Sequence, residues 1–290
     1  MATPPHQGRR NHNLRSSSLL ELSHDELGVI FDGIADPLEP TVAVALSGTC
    51  LGLRTPLLVA LKRLKQRRAQ VDALFRKSHT LQPINPAGWH EVEELQWWQA
   101  GLDADDAEAV GTILRSNRLP ELQEVTLVGN AFGDAGVQAV CDGLARGAAP
   151  ALRTLSVGES QFGPVGAKAL AAALARGAMP NLKVLNLSYN PMGDQGVAAL
   201  VAPLRKLPAL THLHLFGCDV GDDGLNSLVA NLGKDDFKAL EWLSLSHNEI
   251  TDAGCAKLVA ALDDGALPAL KLVAMPEVLE PRVQAALCRR

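Results

Sequence analysis

Two short patterns in this sequence contain residue types that could do chemistry. In the stretch MGDQG, Asp194 lies between two glycines, and such a turn after an apolar run is typical of loops that hold phosphate or a metal ion. Farther along, His212 and His214 lie two residues apart in an alternating apolar stretch, so their imidazoles face the same side of a predicted strand. Two histidines at this spacing could begin a zinc site, which requires a third or fourth ligand.

The glycine-flanked aspartate is not confined to one place in the chain. Turns of this type recur as GDAG, GDQG, GDDG and TDAG, each between an apolar residue and the start of a predicted helix. An aspartate at this point is placed to cap the first turn of that helix, and the next glycine lets the helix approach its neighbour closely. Because a catalytic loop would not need four copies, we interpret the turn as structural.

Both patterns lie within an internal repeat. Five copies align column by column, and their first residues are spaced by 30, 30, 28 and 30 positions: Leu122, Leu152, Leu182, Leu210 and Leu240. Two degenerate copies begin at residues 92 and 270. In each copy an alternating Leu-x-Leu predicts a short strand with one buried face, and apolar residues three and four apart predict an amphipathic helix.

The shared frame is L-x-x-L-x-L-x-x-N-x-φ-x-x-x-G followed by a helix, where φ is an apolar residue. It resembles the leucine-rich repeat, specifically the long, ribonuclease-inhibitor-like class, over residues 92–290. The resemblance implies an α/β fold: a horseshoe solenoid of about seven repeats, with a parallel β-sheet on the concave face and helices on the convex face. One column should form a ladder that satisfies backbone groups where the chain leaves each strand: Asn130, Ser160, Asn190, Cys218 and Asn248.

The outward-facing strand positions of such a solenoid form one continuous surface. Phe216 and Trp242 stand out there because aromatic residues make up 4% of the chain, and exposed aromatic side chains beside small polar ones favour protein binding. The alternative is that they pack on each other or on the C-terminal end of the solenoid. We predict these partner-binding residues on the concave face: Trp98, Thr126, Asn186, Ser188, His212, His214, Phe216, Trp242 and Ser244.

Catalysis and metal binding are not expected. The strands next to His212 and His214 offer Asn186, Trp242 and Ser244, none of which is a good zinc ligand. No Ser-His-Asp or Cys-His arrangement can be assembled from the spacing, so we predict a chain that is not an enzyme and that uses no metal and no cofactor. The histidines are instead predicted to contribute to a binding surface.

Residues 19–77 do not fit the repeat and read as three helices, the first opened by a capping box of Ser23 and Glu26. The spacing of DELGVIFDGI, followed by an L-S-x-x-C segment, resembles the F-box, the helical module that docks on a Skp-type adaptor of a cullin ubiquitin ligase. The resemblance implies adaptor contacts at Leu22, Leu27, Ile30, Phe31 and Ile34. The alternative is a helical cap that seals the open end of the first repeat.

Composition sets the remaining limits. Residues 1–80 carry 11 Lys and Arg against 7 Asp and Glu, and residues 81–290 carry 16 against 25. An acidic main body argues against nucleic acid as a ligand.

The five cysteines form no CxxC pair, so an intracellular protein with reduced thiols is expected. No apolar run reaches the ~18 residues of a membrane span, so no membrane contact is expected. We predict a disordered tail at 1–18, with an organelle transit peptide as the alternative, and a linker at 78–91.

Together these features favour a non-enzymatic interaction protein whose partner is a protein on the concave face. The F-box resemblance adds a finer hypothesis, that of a substrate receptor for a cullin-type ubiquitin ligase. The alternative is a regulator or activator of a small GTPase or another enzyme. We expect the protein to be located in the cytoplasm. The basic segment KRLKQRR at residues 62–68 is either the solvated face of a helix or a nuclear-localisation signal, and in the second case the nucleus is expected.

Overall fold

The structure, a computed structural model, describes residues 51–77, 86–116, 119–144, 147–233 and 235–289. The predicted tail at 1–18 lies outside the described residues, as do the predicted adaptor contacts Leu22, Leu27, Ile30, Phe31 and Ile34. The chain divides into two compact units, Met1–Lys65 and Gln66–Arg290. Their boundary falls within helix α1 (Leu51–Lys77) and therefore within the region that the sequence suggests is one module.

One parallel sheet of seven three-residue strands runs through the second unit, in the order of the sequence. The strands are β1 (Glu94–Gln96), β2 (Glu124–Thr126), β3 (Thr154–Ser156), β4 (Val184–Asn186), β5 (His212–His214), β6 (Trp242–Ser244) and β7 (Leu272–Ala274). Each strand pairs with the same column of the next repeat, so that Glu94 faces Glu124 and His212 faces Trp242. This sheet and its alternating helices confirm the predicted α/β solenoid, including the degenerate copies at both ends.

A helix follows every strand and packs against the helix of the next repeat. The helices are α2 (Ala104–Arg115), α3 (Gly133–Gly143), α4 (Pro164–Ala175), α5 (Gly193–Arg205), α6 (Asp222–Val229), α7 (Asp252–Asp263) and α8 (Glu280–Cys288). The apolar core lies between the helices and the sheet. We call the opposite face of the sheet the concave face. No helix among the described residues is long and apolar enough to cross a membrane.

The middle residue of each strand is buried to 2% exposure or less: Leu95, Val125, Leu155, Leu185, Leu213, Leu243 and Val273. The first and third residues of a strand face the other way, because successive side chains of a strand alternate. This alternation is what sends the non-core strand residues to the concave face. The sheet therefore presents two side chains per repeat in aligned rows.

The N-terminal end of the Gln66–Arg290 unit is closed by aromatic packing. Phe75 of α1 lies 5.4 Å from the ring of Trp89 and 6.1 Å from the ring of Trp97. Trp89 belongs to a short 3-10 helix, Pro86–Glu91, inside the segment predicted as a linker, and it is 2% exposed. Lys77 also forms an ion pair with Asp106 of α2. The residues just before the first strand are therefore part of the folded core of this unit.

The predicted asparagine ladder links each repeat to the one before it. The amide nitrogen of Asn190 donates to the carbonyl oxygens of Val157 and Leu187, both at 2.9 Å. Its Oδ1 accepts from the backbone N–H of Ser160 at 2.9 Å and from the backbone N–H of Phe162 at 3.4 Å. Asn248 repeats this arrangement in its own repeat. Asn130 makes the same two donated bonds and accepts from the N–H of Leu102. One short side chain thus satisfies four buried backbone groups.

Two ladder positions that lack asparagine make fewer bonds. The Ser160 hydroxyl donates to the carbonyl of Gly158 at 3.2 Å. The Cys218 thiol reaches the carbonyl of Leu187 at 3.3 Å, and both residues are fully buried. Neither side chain carries an amide oxygen, so neither accepts from the backbone N–H groups of the preceding repeat. The ladder is therefore weaker at these two positions than at the asparagines.

A second ladder, of aspartates, connects the helix layer. Asp194 Oδ1 accepts from the backbone N–H of Gly221 at 2.7 Å and of Gly224 at 2.9 Å, at the start of α6. Asp134 does the same for α4, and Asp222 accepts from the N–H of Thr251 before α7. The expectation that the aspartate caps its own helix is therefore wrong for these three residues, because each accepts from backbone N–H groups at the start of the helix of the following repeat. The fourth, Asp252, forms an ion pair with Arg282 of α8.

The reason lies in where the carboxylate sits in its own helix. Asp194 is the second residue of α5, so its side chain projects sideways from the first turn toward the neighbouring helix, and the N-cap of α5 makes no side-chain bond. The last glycine of the turn makes room for this contact. A Cβ on Gly224 would lie 2.5 Å from Asp194 Oδ1, and a Cβ on Gly254 would lie 2.2 Å from Asp222 Oδ1.

We expect Asp194→Asn to lower the free energy of unfolding by about 1 kcal/mol or less, because the amide keeps an acceptor oxygen and loses only its charge at a helix N-terminus. Urea denaturation measures this. The chain provides a natural comparison, since Pro164 occupies the aspartate column and α5 then has no side-chain cap. A variant that folds as stably as the parent yet no longer binds its partner would return this turn to the functional residues.

Candidate functional site

A tryptophan and two histidines form a compact group on the concave face. His212 and His214 are the two outward residues of β5, and Trp242 is the register partner of His212 on β6. The Trp242 ring lies 5.9 Å from the His212 ring and 6.2 Å from the His214 ring, and the two imidazoles are 6.2 Å apart. Trp242 remains 37% exposed. We call these three residues the Trp–His cluster.

A second group of rings lies beside it, in the turns that follow the strands. Phe216 packs 4.8 Å from the ring of Tyr189 on one side and 4.3 Å from the ring of His247 on the other. Tyr189 is 53% exposed. We call these three residues the turn cluster. Since Phe216 follows His214 by two residues, the two clusters form one continuous aromatic surface across β4, β5 and β6.

Tyr189 and His247 are not among the residues predicted from the sequence. Both immediately precede a ladder asparagine, and both have a positive φ of 57°, which turns the backbone toward the concave face. The corresponding residues of the other repeats are Gln99, Gly129, Glu159, Gly217 and Glu277. Two aromatic residues in a column otherwise held by glycine, glutamine and glutamate are a signal that a column-by-column comparison could have found.

The remaining predicted contact residues are distributed unevenly. Asn186 Oδ1 accepts from the N–H of Ser188 at 3.0 Å, and the Thr126 hydroxyl donates to a Glu124 carboxylate oxygen at 2.9 Å, so local bonds hold these polar side chains. Ser244 is only 8% exposed because it lies in register between His214 and Ala274, and it offers a partner little surface.

Trp98 is the most exposed of the predicted contact residues at 60%, and it follows β1. Its column is the column of Phe216, four strands away along the sheet. Strands lie about 4.8 Å apart, so the two positions are about 19 Å apart and Trp98 is separate from the aromatic surface. The structure therefore brings together His212, His214, Phe216 and Trp242, and it leaves Trp98 isolated.

The His214 imidazole is partly withdrawn from water. Burial lowers its pKa, and the nearby His212 lowers it further when that ring is charged. The facing residues of the flanking strands, Asn186 and Ser244, carry no charge that could offset this. The uncharged form of His214 is therefore favoured at neutral pH.

We expect the free energy of unfolding to decrease as the pH falls from 7 to 5. The unfolded chain protonates His214 near the usual pKa of about 6.5, whereas the folded chain resists the proton, so this contribution is complete above that pH and is lost below it. Urea midpoints at several pH values should show a smaller slope for His214→Gln than for the parent. An unchanged slope in His214→Gln would contradict the assignment.

The described residues offer little to covalent or metal chemistry. Burial raises the pKa of the Cys141 thiol to about 12 and that of the Cys218 thiol to about 11, so neither is a nucleophile near neutral pH. Among the residues that the structure describes, no group of three or more His, Cys, Asp or Glu side chains could hold a metal ion. The aromatic surface is therefore suited to binding by contact and stacking.

Comparison with known proteins identifies the repeat. A family model described as "Leucine Rich repeat" matches residues 120–141, 178–201, 206–229 and 240–259. Each matched stretch spans one strand and all or part of the helix after it. No curated protein matches the chain.

A solved structure, the crystal structure of a complex of TLR13 with ssRNA13, aligns at 19% identity with a TM-score of 0.36. The alignment covers 67% of this chain and 23% of that one, so this chain spans about a quarter of its length. The column pattern, the parallel sheet and the matched family model agree on the nature of the repeat. The four matched stretches are leucine-rich repeats.

Proposed function

We propose that this protein is a non-enzymatic scaffold that binds a protein partner on its concave face, through the Trp–His cluster and the turn cluster. One observation carries this proposal: the two clusters put six ring side chains on a single open face, in a chain with an aromatic content of 4%. Partly exposed tryptophan and tyrosine are the side chains that most often dominate the energy of a protein interface. Leucine-rich repeats generally serve as interaction scaffolds, which supports the same function.

Two finer assignments belong to this proposal. We assign the repeats to the ribonuclease-inhibitor-like class, because their 28- to 30-residue spacing accommodates a strand and a full helix. We also propose that the partner is a protein and not a nucleic acid, because residues 81–290 carry 25 Asp and Glu against 16 Lys and Arg. Such a scaffold would act in the cytoplasm or the nucleus.

The N-terminal region supports a more specific role, that of substrate receptor for a cullin-type ubiquitin ligase. The F-box-like spacing of Leu27, Ile30, Phe31 and Ile34 gives one apolar helical stripe, which is the kind of surface that an adaptor groove accepts. In this arrangement the N-terminal module binds the adaptor and the concave face binds the substrate. The two activities would then be separable by mutation.

We expect Phe31→Ala to abolish capture of a Skp-type adaptor and cullin by the tagged full chain, since it removes the largest side chain of that stripe. Affinity capture followed by mass spectrometry measures this, and Trp242→Ala serves as the matched control. Trp242→Ala should retain the adaptor and lose the substrate. Capture of a GTPase without adaptor or cullin subunits would contradict the ligase role and favour a regulator of that enzyme.

A further inference from the structure

A pocket of about 270 Å³ lies at the edge of the concave face where the strands β3 to β5 end. The rings of Tyr189 and Phe216 form part of its lining, Gly158 contributes backbone, and Glu159 adds a carboxylate. The pocket thus combines aromatic walls with one acidic group. The surface proposed above to bind a partner includes Tyr189 and Phe216, so the pocket belongs to that surface.

The pocket exists because one side chain is missing from a column. Val128, Gly158, Ser188 and Phe216 occupy the same position in successive repeats, and Gly158 alone has no side chain there. The backbone at Gly158 is held by the sheet, since its carbonyl accepts from Gly129 N–H at 3.0 Å. A Cβ added at Gly158 would lie 3.1 Å from the Ser188 carbonyl oxygen and 3.6 Å from the Asn186 amide, so a larger side chain there would crowd two other residues of the pocket lining.

The aromatic wall is held in a fixed position. The Tyr189 ring packs 4.8 Å from the Phe216 ring at an angle of 58°. It also lies over the backbone of Gly217, where an added Cβ would be 3.1 Å from the Tyr189 ring. About half of the Tyr189 side chain stays open to solvent. A ring supported on one side and open on the other presents a face on which a ligand can stack.

The edge that contains the pocket carries negative charge and no positive charge. The seven segments that connect a strand to its following helix are residues 97–103, 127–132, 157–163, 187–192, 215–221, 245–251 and 275–279. They contain Asp103, Glu159, Asp219, Glu249 and Glu277 but neither lysine nor arginine. Asp103 caps its own helix α2, whereas the other four are exposed carboxylates.

No basic side chain of the described residues neutralises Glu159. It forms no ion pair with any residue in the part of the chain that the structure describes, and it is exposed. Arg153 and Lys183 lie beside the same strands but before their first residues. At about 3.3 Å per residue, Lys183 is roughly 10 Å from Asn186 and Arg153 is roughly 16 Å from Gly158, the nearest residues of the pocket lining on their strands. Both distances exceed the Debye length of about 8 Å at physiological salt.

We propose that this pocket receives an arginine side chain from a basic segment of the protein partner, which deepens and rests on the function proposed above. The guanidinium would stack on the Tyr189 ring and donate to the Glu159 carboxylate, since a planar cation can use both contacts at once. The exposed carboxylates of Asp219, Glu249 and Glu277 would attract the rest of a basic segment along the same edge.

The single tyrosine of the chain provides a site-specific test, because Tyr189 is then the only source of a labelled tyrosine ring signal. The probe is an octapeptide of alternating arginine and serine, titrated at low ionic strength into the full chain. The expected result is a saturable shift of the Tyr189 ring signals. The same peptide with citrulline, which keeps the shape and removes the charge, should bind at least about tenfold more weakly, and a lysine version should lie between them.

Paired variants separate the pocket from general charge attraction. Glu159→Gln should weaken binding of the arginine peptide about three- to fivefold, the range expected for one exposed ion pair. Glu249→Gln removes the same charge elsewhere on the edge and should change the affinity for that peptide less than about twofold. Gly158→Leu should fill the pocket and abolish the Tyr189 shift. Circular dichroism checks its folding; if Gly158→Leu fails to fold, the carboxylate pair decides.

Three results would overturn the inference: Tyr189 signals that do not move at millimolar arginine peptide, equal losses in Glu159→Gln and Glu249→Gln, or equal binding of the citrulline peptide. None of these results contradicts the proposed function if Trp242→Ala still weakens binding of the captured partner. Conversely, a partner that binds Trp242→Ala normally would refute the concave face as its docking surface, while the arginine pocket could still be observed with the peptide.

Discussion

Replacing Asn190 with alanine should lower the free energy of unfolding by about 3–5 kcal/mol. Asn190 is fully buried, and its loss leaves the Val157 carbonyl and the backbone N–H groups of Ser160 and Phe162 without partners. The Leu187 carbonyl keeps only the weak bond from the Cys218 thiol. Each unsatisfied buried group costs about 1–3 kcal/mol, reduced where water enters the space left by the amide. That loss is a large fraction of the 5–15 kcal/mol by which a domain of ordinary size is stable.

Urea unfolding followed by circular dichroism measures this effect, and the chain supplies two controls. Asn190→Cys reproduces the side chain of Cys218, which bonds one carbonyl of the preceding repeat, and it should cost clearly less than alanine. Asn248 makes the same bonds but is only partly buried, so Asn248→Ala should cost about half as much because water can replace the amide. A loss below 1 kcal/mol for Asn190→Ala would contradict the role of the ladder.

Replacing Trp242 with alanine should weaken binding of the captured partner about thirtyfold. A partly exposed tryptophan at the centre of an aromatic surface is a typical anchor, worth about 2 kcal/mol of binding free energy. Its contacts with His212 and His214 also contribute to folding, so the same change should cost about 1 kcal/mol of stability without unfolding the chain. Binding is best measured by calorimetry, once affinity capture has identified the partner.

Trp98→Ala is the matched control for this experiment. It removes the same side chain from the same face, but Trp98 is three strands, or about 14 Å, from Tyr189, the nearest member of the aromatic surface. The change should therefore weaken binding less than threefold. Trp242→Ala that binds as tightly as the parent would exclude the Trp–His cluster as the recognition site. The helix layer or the N-terminal module would then be the remaining candidates.

The repeat itself could be predicted in detail from the sequence. The spacing of the leading leucines indicates seven strand–helix units, and alternation within each Leu-x-Leu identifies which strand residue is buried, as Leu185 and Leu213 show. The ladder asparagines also occupy their predicted place. These features depend on residues close together in the chain, and local periodicity determines them without knowledge of how repeats stack.

Contacts between repeats were less accessible to the same reasoning. The aspartate of each turn precedes a helix in the sequence, which favours a cap on that helix, whereas the distance between stacked helices brings it to the next one, as Asp194 and Gly224 show. Trp89 falls in a proline-containing segment without periodicity, yet it packs on Phe75. In both cases the partner is chosen by packing between elements, which periodicity does not encode.

The sequence by itself determined which residues lie on the concave face of the sheet, because a period of two assigns every strand residue to one face. Only the tertiary structure decided which of them form a site. The stacking of repeats brings Trp242 over His212 and His214, covers Ser244, and leaves Trp98 alone. It also adds Tyr189, because a positive φ at that residue turns the backbone and directs the ring to Phe216 in the next repeat. The candidate site is therefore determined by contacts between side chains of neighbouring repeats, and the position of a residue within its own repeat does not predict those contacts.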